Sequence, residues 1–315
     1  MYLAHQISFG NWWARFSSIL ESGNLKTMKR NNFLGALISM PALLIYLLFV
    51  IYPLISAFQY SFTNWDGIGE KKFIGLKNYI QIFQSPELLG SIRNSLSLII
   101  FFSFFPIFFG LLLANFIVRI RTQKIRSITQ VVLFFPQILP LAASGIAWSW
   151  MYAKNGLVNQ FLKAIGLEKI AQPWLAGFST ALPAVGIIGA WVLTGFCAVL
   201  LATGISKIDA SLYEAARIDG ANWWSEFRNV TIPGLRQEIS VLITVTMIAA
   251  LSSFDIIYVT TLGGPGGSTL VPGISIYRLA FTQSAVGLAS AFGIMLMVIV
   301  LIAIVPIQFY SRKSD

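Results

Sequence analysis

The chain has 315 residues, of which 56% are hydrophobic and 11% charged, and its formal net charge is +10 at pH 7. An ordinary soluble domain has roughly 25% charged residues, so this composition argues against a water-soluble globule, excludes disorder and predicts an outer surface that faces lipid. The one cysteine, Cys197, excludes an internal disulfide, and the one histidine, His5, lies too near the N-terminus for histidine-dependent catalysis in a folded core.

The first 30 residues are predicted to form a cytoplasmic leader. Trp12, Phe16 and the Ile19-Leu20 pair recur at helical spacing, which predicts an amphipathic helix in the membrane interface. A poorly ordered terminus is the alternative. The apolar run after the leader is longer than the hydrophobic region of a signal peptide, so we expect a retained first span.

Six apolar stretches are long enough to cross a membrane, since roughly 20 residues at about 1.5 Å each span the hydrocarbon core. We predict an all-α, polytopic membrane protein. Its transmembrane domain covers residues 31–315, with spans at about 34–60, 94–118, 127–152, 178–205, 239–262 and 285–309. The fourth and fifth apolar windows exceed one span, so we expect loops at Gln172-Pro173 and Gly263–Gly267.

The positive charges predict the orientation of these spans. With the N-terminus inside, the cytoplasmic segments carry 14 of the 22 lysines and arginines, and the outer segments carry the other 8. Cytoplasmic loops near span ends collect positive charge, so both termini are predicted to be cytoplasmic. The basic surplus is then a topology signal, and we expect no nucleic-acid partner.

The cytoplasmic loop at residues 206–238 mixes acidic and basic side chains, which indicates folded structure. Ser211 and Glu214 have the spacing of a capping box, so a helix is predicted to begin at Ser211. This helix should end at Asp219-Gly220, where glycine can adopt the left-handed conformation.

A second short helix is predicted in the same loop. Asn222 should cap it, and it should run to Thr231-Ile232 and end at Pro233. The loop is therefore expected to be two short helices joined at a glycine bend.

The same loop carries Glu214-Ala215-Ala216, then Gly220, then Val230-Thr231-Ile232-Pro233. This arrangement resembles the EAA loop of ABC importer permeases, whose pattern is EAA, three residues, Gly, nine residues and Ile-x-Leu-Pro. The spacing agrees throughout, with Val230 and Ile232 as conservative departures. We call residues 206–238 the EAA loop.

Other segments are similar to one branch of these permeases, the maltose-type and glycerol-phosphate-type carbohydrate permeases. The likeness covers about Phe33 to the C-terminus, without the large periplasmic insert of the maltose system's larger permease. The segments are Tyr52-Pro53, Ser61-Phe62-Thr63, Gly75–Tyr79, Phe254–Tyr258 and Gly263-Gly264-Pro265.

The resemblance implies a type I ABC importer fold and an ATP-driven importer in a bacterial cytoplasmic (inner) membrane. In that family the chain pairs with a second permease, two ATPase subunits and an extracytoplasmic solute-binding protein. The sequence has no GxxxxGK[ST] phosphate loop and no Gly-Lys pair, so we expect no enzyme activity and no cofactor on this chain. ATP and Mg²⁺ are expected on the ATPase subunits.

The resemblance also implies which residues couple this chain to the ATPase. In the family the EAA helix docks on the ATPase and moves as a rigid lever. For Glu214, a role limited to capping the helix stays open. The implied coupling residues are Glu214, Ala215, Ala216, Asp219, Gly220 and Pro233.

The family's substrate positions fall on spans four and five and are mostly small here, which implies a wide pocket or contacts from the partner permease. They are Trp191, Thr194, Gly195, Ala198, Thr246, Ala249, Ala250 and Ser253. Asp255 is added because an ionisable group in a span usually faces a cavity or a partner. Its position near the outer end of the span leaves simple exposure to water as the alternative.

The resemblance implies a di- or oligosaccharide substrate. Eight basic residues in the outer segments against four acidic ones favour an anionic ligand such as an alginate-type uronate oligosaccharide.

An ion-gradient-driven secondary transporter is the alternative from another class, although only Asp255 is charged within a span. An ABC permease for a polyamine, an amino acid or glycerol phosphate is the nearer alternative. A membrane-bound enzyme would need converging carboxylates or histidines, which the sequence does not present.

Overall fold

The computed structural model describes residues 39–312, with side chains described as far as Phe309. The predicted leader helix therefore lies outside the described residues. The chain divides into two compact units, Met1–Ser56 and Ala57–Asp315. One apolar helix, Ser39–Tyr60, begins in the first unit and ends in the second.

The described chain is all-α apart from one pair of two-residue strands. Five helical stretches are long and apolar enough to cross a membrane, and there are six when the bent pair Gln123–Ile138 and Leu141–Met151 counts as one span. In chain order the elements are helix α1 (Ser39–Tyr60), strands β1 (Thr63–Asn64) and β2 (Lys72–Phe73), and helices α2 (Lys77–Gln84), α3 (Pro86–Arg119), α4 (Gln123–Ile138), α5 (Leu141–Met151), α6 (Leu157–Ala164), α7 (Ala181–Ile205), α8 (Ala210–Ile218), α9 (Trp223–Glu226), α10 (Arg236–Leu251), α11 (Asp255–Thr260), α12 (Pro272–Tyr277) and α13 (Val286–Arg312).

The third predicted span, residues 127–152, is not one straight helix. Helices α4 and α5 meet at an angle of 92°. Leu139, between them, is extended, with φ −69° and ψ 138°. Pro140 follows it, and proline disfavours helical backbone at the residue before it. The bend corrects the prediction of a single span over residues 127–152.

Helix α3, the second span, begins at Pro86 rather than near Asn94. Ser85 caps it by accepting a hydrogen bond from the Leu88 amide at 3.3 Å, and Pro86 occupies the first turn. At about 1.5 Å per residue this helix is roughly 50 Å long, so it extends beyond the hydrocarbon core.

Three π-helical segments each end two residues before a proline. The prolines are Pro53, Pro106 and Pro233, and the segments are Leu47–Ile51, Ile100–Phe104 and Phe227–Thr231. A proline has no amide hydrogen and its ring clashes with the carbonyl four residues earlier. The wider turn accommodates that carbonyl without ending the helix.

Helix α7, the fourth span, is the most buried of the five single spans. Its glycines allow neighbouring helices to approach closely. A Cβ atom at Gly195 would lie 1.6 Å from the Leu133 carbonyl oxygen of α4, and one at Gly189 would lie 2.0 Å from the Phe102 ring of α3. The two helices that flank α7 are thus in direct contact with its backbone.

The fifth span is broken. Helix α10 ends at Leu251, residues 252–254 are not helical, and α11 begins at Asp255. Both loops expected from the long apolar windows are present, before α7 and at Gly263–Gly267. The span that carries most of the predicted substrate positions is thus followed by a glycine-rich turn.

Candidate functional site

The first helix of the EAA loop begins one residue earlier than predicted. Asp209 is its cap and accepts a hydrogen bond from the Ser211 amide at 2.9 Å, so α8 begins at Ala210. That hydrogen bond lowers the pKa of Asp209. The prediction of Ser211 as the cap is therefore wrong, because the nearer carboxylate already accepts the amide. Glu214 is exposed and forms no hydrogen bond or ion pair with the described part of the chain.

The bend between the two loop helices has the predicted form. Asp219 ends α8, and Gly220 follows with φ +79°. A Cβ atom at Gly220 would meet nothing within 4 Å, so backbone conformation rather than space requires the glycine. Asn222 caps the second helix by accepting a hydrogen bond from the Ser225 amide at 2.9 Å.

The second loop helix does not end at Pro233. Helix α9 continues through the π segment Phe227–Thr231 into a short turn of helix, Ile232–Gly234, which holds Pro233 in its first turn. The π turn before Pro233 accommodates the proline within the continuing helix. The predicted stop is corrected accordingly, and the loop stays helical almost as far as α10.

Three side-chain contacts cross the EAA loop. Arg217 donates to Glu226, and this hydrogen bond raises the pKa of Arg217. The pairs and their atoms are Lys207 Nζ and Glu238 Oε1 at 3.7 Å, Tyr213 OH and Thr231 Oγ1 at 3.0 Å, and Arg217 Nε and Glu226 Oε1 at 2.6 Å.

The tip of the EAA loop presents exposed residues. Ile218 is 86% exposed and Leu212 54% exposed, and Glu214 and Ala215 are exposed beside them. A concavity of about 450 Å³ opens at the bend. Ala216, Asp219 and Gly220 line it together with Ala221, Asn222, Ser225 and Asn229. The structure thus brings the five N-terminal coupling positions together at the tip, and Pro233 lies on the returning segment.

The predicted substrate residues on α7 separate into accessible and buried positions. Trp191 is 38% exposed and packs edge-to-face on Trp148, with ring centroids 5.7 Å apart. Thr194 is half-buried and its hydroxyl donates to the Ala190 carbonyl oxygen at 2.6 Å. Gly195 and Ala198 are buried against neighbouring helices.

The positions on the fifth span divide in the same way. Thr246 and Ala250 are fully buried, and Ala249 is half-buried. Ser253 is buried, and its hydroxyl has no hydrogen-bond partner within the described chain. Asp255 is exposed in the first turn of α11, where the helix dipole favours a negative charge.

The family follows from a comparison with known proteins. The family model described as "Binding-protein-dependent transport system inner membrane component" matches residues 106–313. The chain belongs to this family. The match contains the whole EAA loop and the spans on either side of it.

Individual relatives agree with this assignment. The permease is 34% identical to the trehalose/maltose transport system permease protein MalF of Thermococcus litoralis, over 88% of this chain and 92% of the relative. It is 32% identical to the diacetylchitobiose uptake system permease protein NgcF of Streptomyces coelicolor, over 91% of this chain and 84% of the relative. It is also 32% identical to the probable ABC transporter permease protein YurN of Bacillus subtilis, over 91% of this chain and 99% of the relative.

Solved structures show the same fold. A bacterial ABC transporter involved in the import of the acidic polysaccharide alginate contains a chain that is 26% identical, with a TM-score of 0.76 over 91% of this chain and 98% of that chain. A second structure, a bacterial alginate ABC transporter in complex with an alginate pentasaccharide-bound periplasmic protein, contains a chain that is 25% identical. Its TM-score is 0.76 over 92% of this chain and 97% of that chain. The protein is an ABC importer permease of the carbohydrate type with the type I fold, which excludes the ion-gradient-driven transporter.

Sequence analysis missed an aromatic cluster in the permease beyond the break in its fifth span. Phe254 stacks on Tyr258 at 5.0 Å between ring centroids, and Tyr277 contacts both rings at 5.8 and 5.5 Å. Phe281 adds a fourth ring, 5.4 Å from Tyr277. The spacing of four residues within each pair was a signal in the sequence. The contact between the pairs depends on the turn at Gly263–Gly267.

Proposed function

We propose that this permease moves a di- or oligosaccharide inward across the bacterial cytoplasmic membrane, driven by ATP hydrolysis on partner subunits. The observation that carries this proposal is the tip of the EAA loop. Glu214 is exposed and forms no ion pair within the described chain, and Ile218, one helical turn further along the same face, exposes an apolar side chain. An exposed charge beside an exposed apolar side chain suits contact with another protein.

The partners in this proposal are a second six-span permease, two ATPase subunits and an extracytoplasmic solute-binding protein. ATP and Mg²⁺ belong on the ATPase subunits, since this sequence contains no phosphate-binding loop. The chain then acts as a transport subunit without an ATPase site of its own. An alginate transporter structure that includes a periplasmic protein loaded with a pentasaccharide supports the inclusion of a binding protein.

The proposed orientation places the EAA loop and both termini in the cytoplasm. Arg119, Arg121, Lys124 and Arg126 then lie on the same side as the loop, as the positive-inside rule requires. Arg126 supports this arrangement, because its guanidinium donates to the Ser206 hydroxyl at 2.6 Å, where the EAA loop begins.

The first substrate to test is an acidic oligosaccharide of the uronate type. Eight basic residues against four acidic ones in the outer segments support it, as does the similarity to a transporter involved in the import of alginate. Neutral disaccharides are the comparison, since relatives are named for trehalose/maltose and for diacetylchitobiose.

Within this chain, the accessible part of the proposed substrate path consists of Trp191, Thr194, Ala249 and Asp255. Gly195, Ala198, Thr246 and Ala250 are buried, and we assign them to packing behind that path. The partner permease supplies the remaining sugar contacts in this proposal.

The proposal is tested by purifying the tagged full-length chain from its native membranes in mild detergent and identifying stoichiometric partners by mass spectrometry. We expect an ATPase subunit and a second six-span permease. The complex is then reconstituted in vesicles, and uptake of a labelled uronate trisaccharide is compared with uptake of trehalose and diacetylchitobiose. Failure to recover any ATPase after gentle crosslinking would overturn the coupling role, and uptake of neutral sugars alone would overturn the acidic substrate.

A further inference from the structure

The three contacts that cross the EAA loop are arranged as an antiparallel ladder. The pairs are nested around Gly220: the residues on the first side lie 3, 7 and 13 positions before it, and their partners lie 6, 11 and 18 positions after it. We call these contacts the base, middle and tip rungs, and they are Lys207–Glu238, Tyr213–Thr231 and Arg217–Glu226.

The tip rung spans the glycine bend that joins the two helices of the loop. Gly220 has φ +79° and no atom near the position of a Cβ, so side-chain packing does not restrain the bend, which is held by backbone hydrogen bonds from the Gly220 amide to the Arg217 carbonyl oxygen at 3.1 Å and from the Ala221 amide to the Ala216 carbonyl oxygen at 2.9 Å. Arg217 and Glu226 lie on either side of it, with 2.6 Å between their bonded atoms. The Glu226 side chain is only 14% exposed, so one end of this rung is held in place by its surroundings.

The base of the loop is packed tightly onto the ends of the fourth and fifth spans. A Cβ atom at Gly204, in the last turn of α7, would lie 2.6 Å from the Leu235 side chain. A Cβ atom at Gly234 would lie 2.7 Å from the Ile208 side chain. The base rung lies beside these contacts. The base of the loop is therefore in direct packing contact with the ends of α7 and α10.

We propose that Arg217 and Glu226, supported by Tyr213 and Thr231, are positioning residues that fix the angle between the two helices of the EAA loop. With that angle fixed, a displacement of the loop tip reaches α7 and α10 together. Without the tip rung, the loop bends at Gly220 and the displacement is absorbed there. This inference rests on the proposed function, because it assigns the rungs a role in coupling an ATPase to transport.

The angle itself is measured on the purified full-length permease in nanodiscs. Spin labels at Leu212→Cys and Asn229→Cys, both exposed and one on each side of the bend, report the distance across the loop by double electron–electron resonance. The native Cys197 is buried and does not compete for the label. We expect one narrow distance distribution, and an equally broadened one in Arg217→Gln and in Glu226→Gln.

The matched control is Arg228→Gln, which removes an exposed arginine from the same loop that forms no ion pair with residues 39–312. We expect its distance distribution to match that of the unchanged loop. Distributions that stay narrow in both Arg217→Gln and Glu226→Gln would overturn the proposal.

The coupling role is measured in the assembled importer as sugar molecules taken up per ATP hydrolysed. Each single variant should lower this ratio about two- to fivefold, as the strength of a partly exposed ion pair suggests. The double variant should be no worse than either single variant, because both remove the same contact. A loss in Arg217→Gln without a loss in Glu226→Gln would contradict the proposal and indicate that Arg217 contacts the ATPase directly.

The proposed function and the fixed loop angle are tested by separate measurements. If the assembled complex hydrolyses no ATP in response to loaded binding protein, the proposed function is wrong. The spin-label distances need no ATPase, so they still decide whether the tip rung fixes the loop angle.

Discussion

The Thr246 hydroxyl oxygen lies 2.7 Å from the Ser103 hydroxyl oxygen, which joins the fifth span to the second span inside the membrane. Thr246 is fully buried and its hydroxyl is also 2.7 Å from the Leu242 carbonyl oxygen. A hydroxyl in this setting holds two helices together. The family resemblance had implied that the same residue contacts the substrate.

Thr246→Val tests which role is correct. We expect a lower unfolding temperature in detergent, from the loss of about 0.6 kcal/mol for one interhelical hydrogen bond, and an unchanged half-saturation concentration for sugar uptake. Ser103→Ala is the control and should give a similar loss, with little further loss in the double variant. A changed half-saturation concentration at an unchanged unfolding temperature would instead place Thr246 in the substrate path.

Gly195→Ala should destabilise the helix bundle. The added Cβ would lie 1.6 Å from the Leu133 carbonyl oxygen, so α4 must move away from α7, at a cost of about 1–3 kcal/mol. Thermal unfolding of the detergent-solubilised protein measures this cost. Gly90→Ala is the matched control, because a Cβ in that helical position meets nothing within 4 Å. Equal unfolding temperatures for the two variants would refute the close contact.

Gly220→Pro should leave the protein in the membrane but separate ATP hydrolysis from uptake. Proline requires φ near −65°, which is incompatible with +79°, and it removes the Gly220 amide that bonds the Arg217 carbonyl oxygen at 3.1 Å. The measurement is sugar uptake per ATP hydrolysed in reconstituted vesicles.

Gly166→Pro is a close control for that variant. Gly166 also has φ +79°, open space at its Cβ position and an amide bonded to the carbonyl oxygen three residues earlier at 3.1 Å. It lies between α6 and α7, outside the EAA loop, so its variant should keep the wild-type ratio. Normal uptake by Gly220→Pro would contradict the lever mechanism.

The cap at Asp209 predicts a pH dependence of the start of α8. The hydrogen bond from the Ser211 amide holds the pKa of Asp209 below the ordinary value of an aspartate. A lowered pKa means that the cap is fully present above about pH 4 and is lost as the pH falls below that range. Hydrogen exchange at Ser211 should therefore show protection that declines on acidification, and Asp209→Asn should remove this dependence. Protection in the unchanged protein that stays constant through this range would contradict the prediction.

Asp255→Asn tests whether the exposed carboxylate lies on the substrate path. With a uronate oligosaccharide, removal of a like charge should speed uptake several-fold. With trehalose, loss of a charged hydrogen-bond acceptor should slow uptake, by up to about tenfold. Uptake rates of the two labelled sugars in the same vesicles give the comparison. If neither rate changes, Asp255 is simply a water-exposed residue at the start of α11.

The sequence was informative wherever a local signal decides the structure. Asp219, Gly220 and Asn222 mark the bend of the EAA loop because helix ends depend on a few neighbouring residues. The cap at Asp209 was missed because two polar residues, Asp209 and Ser211, competed for the same helix start. At Pro233 the local signal was misleading, since a π turn before the proline let the helix continue.

The substrate path could be predicted only in part. The family resemblance assigned Trp191, Ala198 and Thr246 to the substrate path on spans four and five, but helical spacing does not tell which face of a buried helix meets a cavity. Burial separates these residues, because Trp191 is exposed, while Ala198 and Thr246 pack inside the bundle. The Tyr258 and Tyr277 rings come together across a turn whose geometry no local pattern specifies.

The sequence by itself determined the membrane setting, the apolar spans and the EAA loop, because these depend on composition, length and the spacing of residues near one another in the chain. Only the tertiary structure decided the 92° bend at Leu139-Pro140, the burial of Gly195 and Thr246, and the pairing of Arg217 with Glu226. Each of these depends on contacts between segments, and close packing in lipid leaves such contacts to the shape of the neighbouring helix.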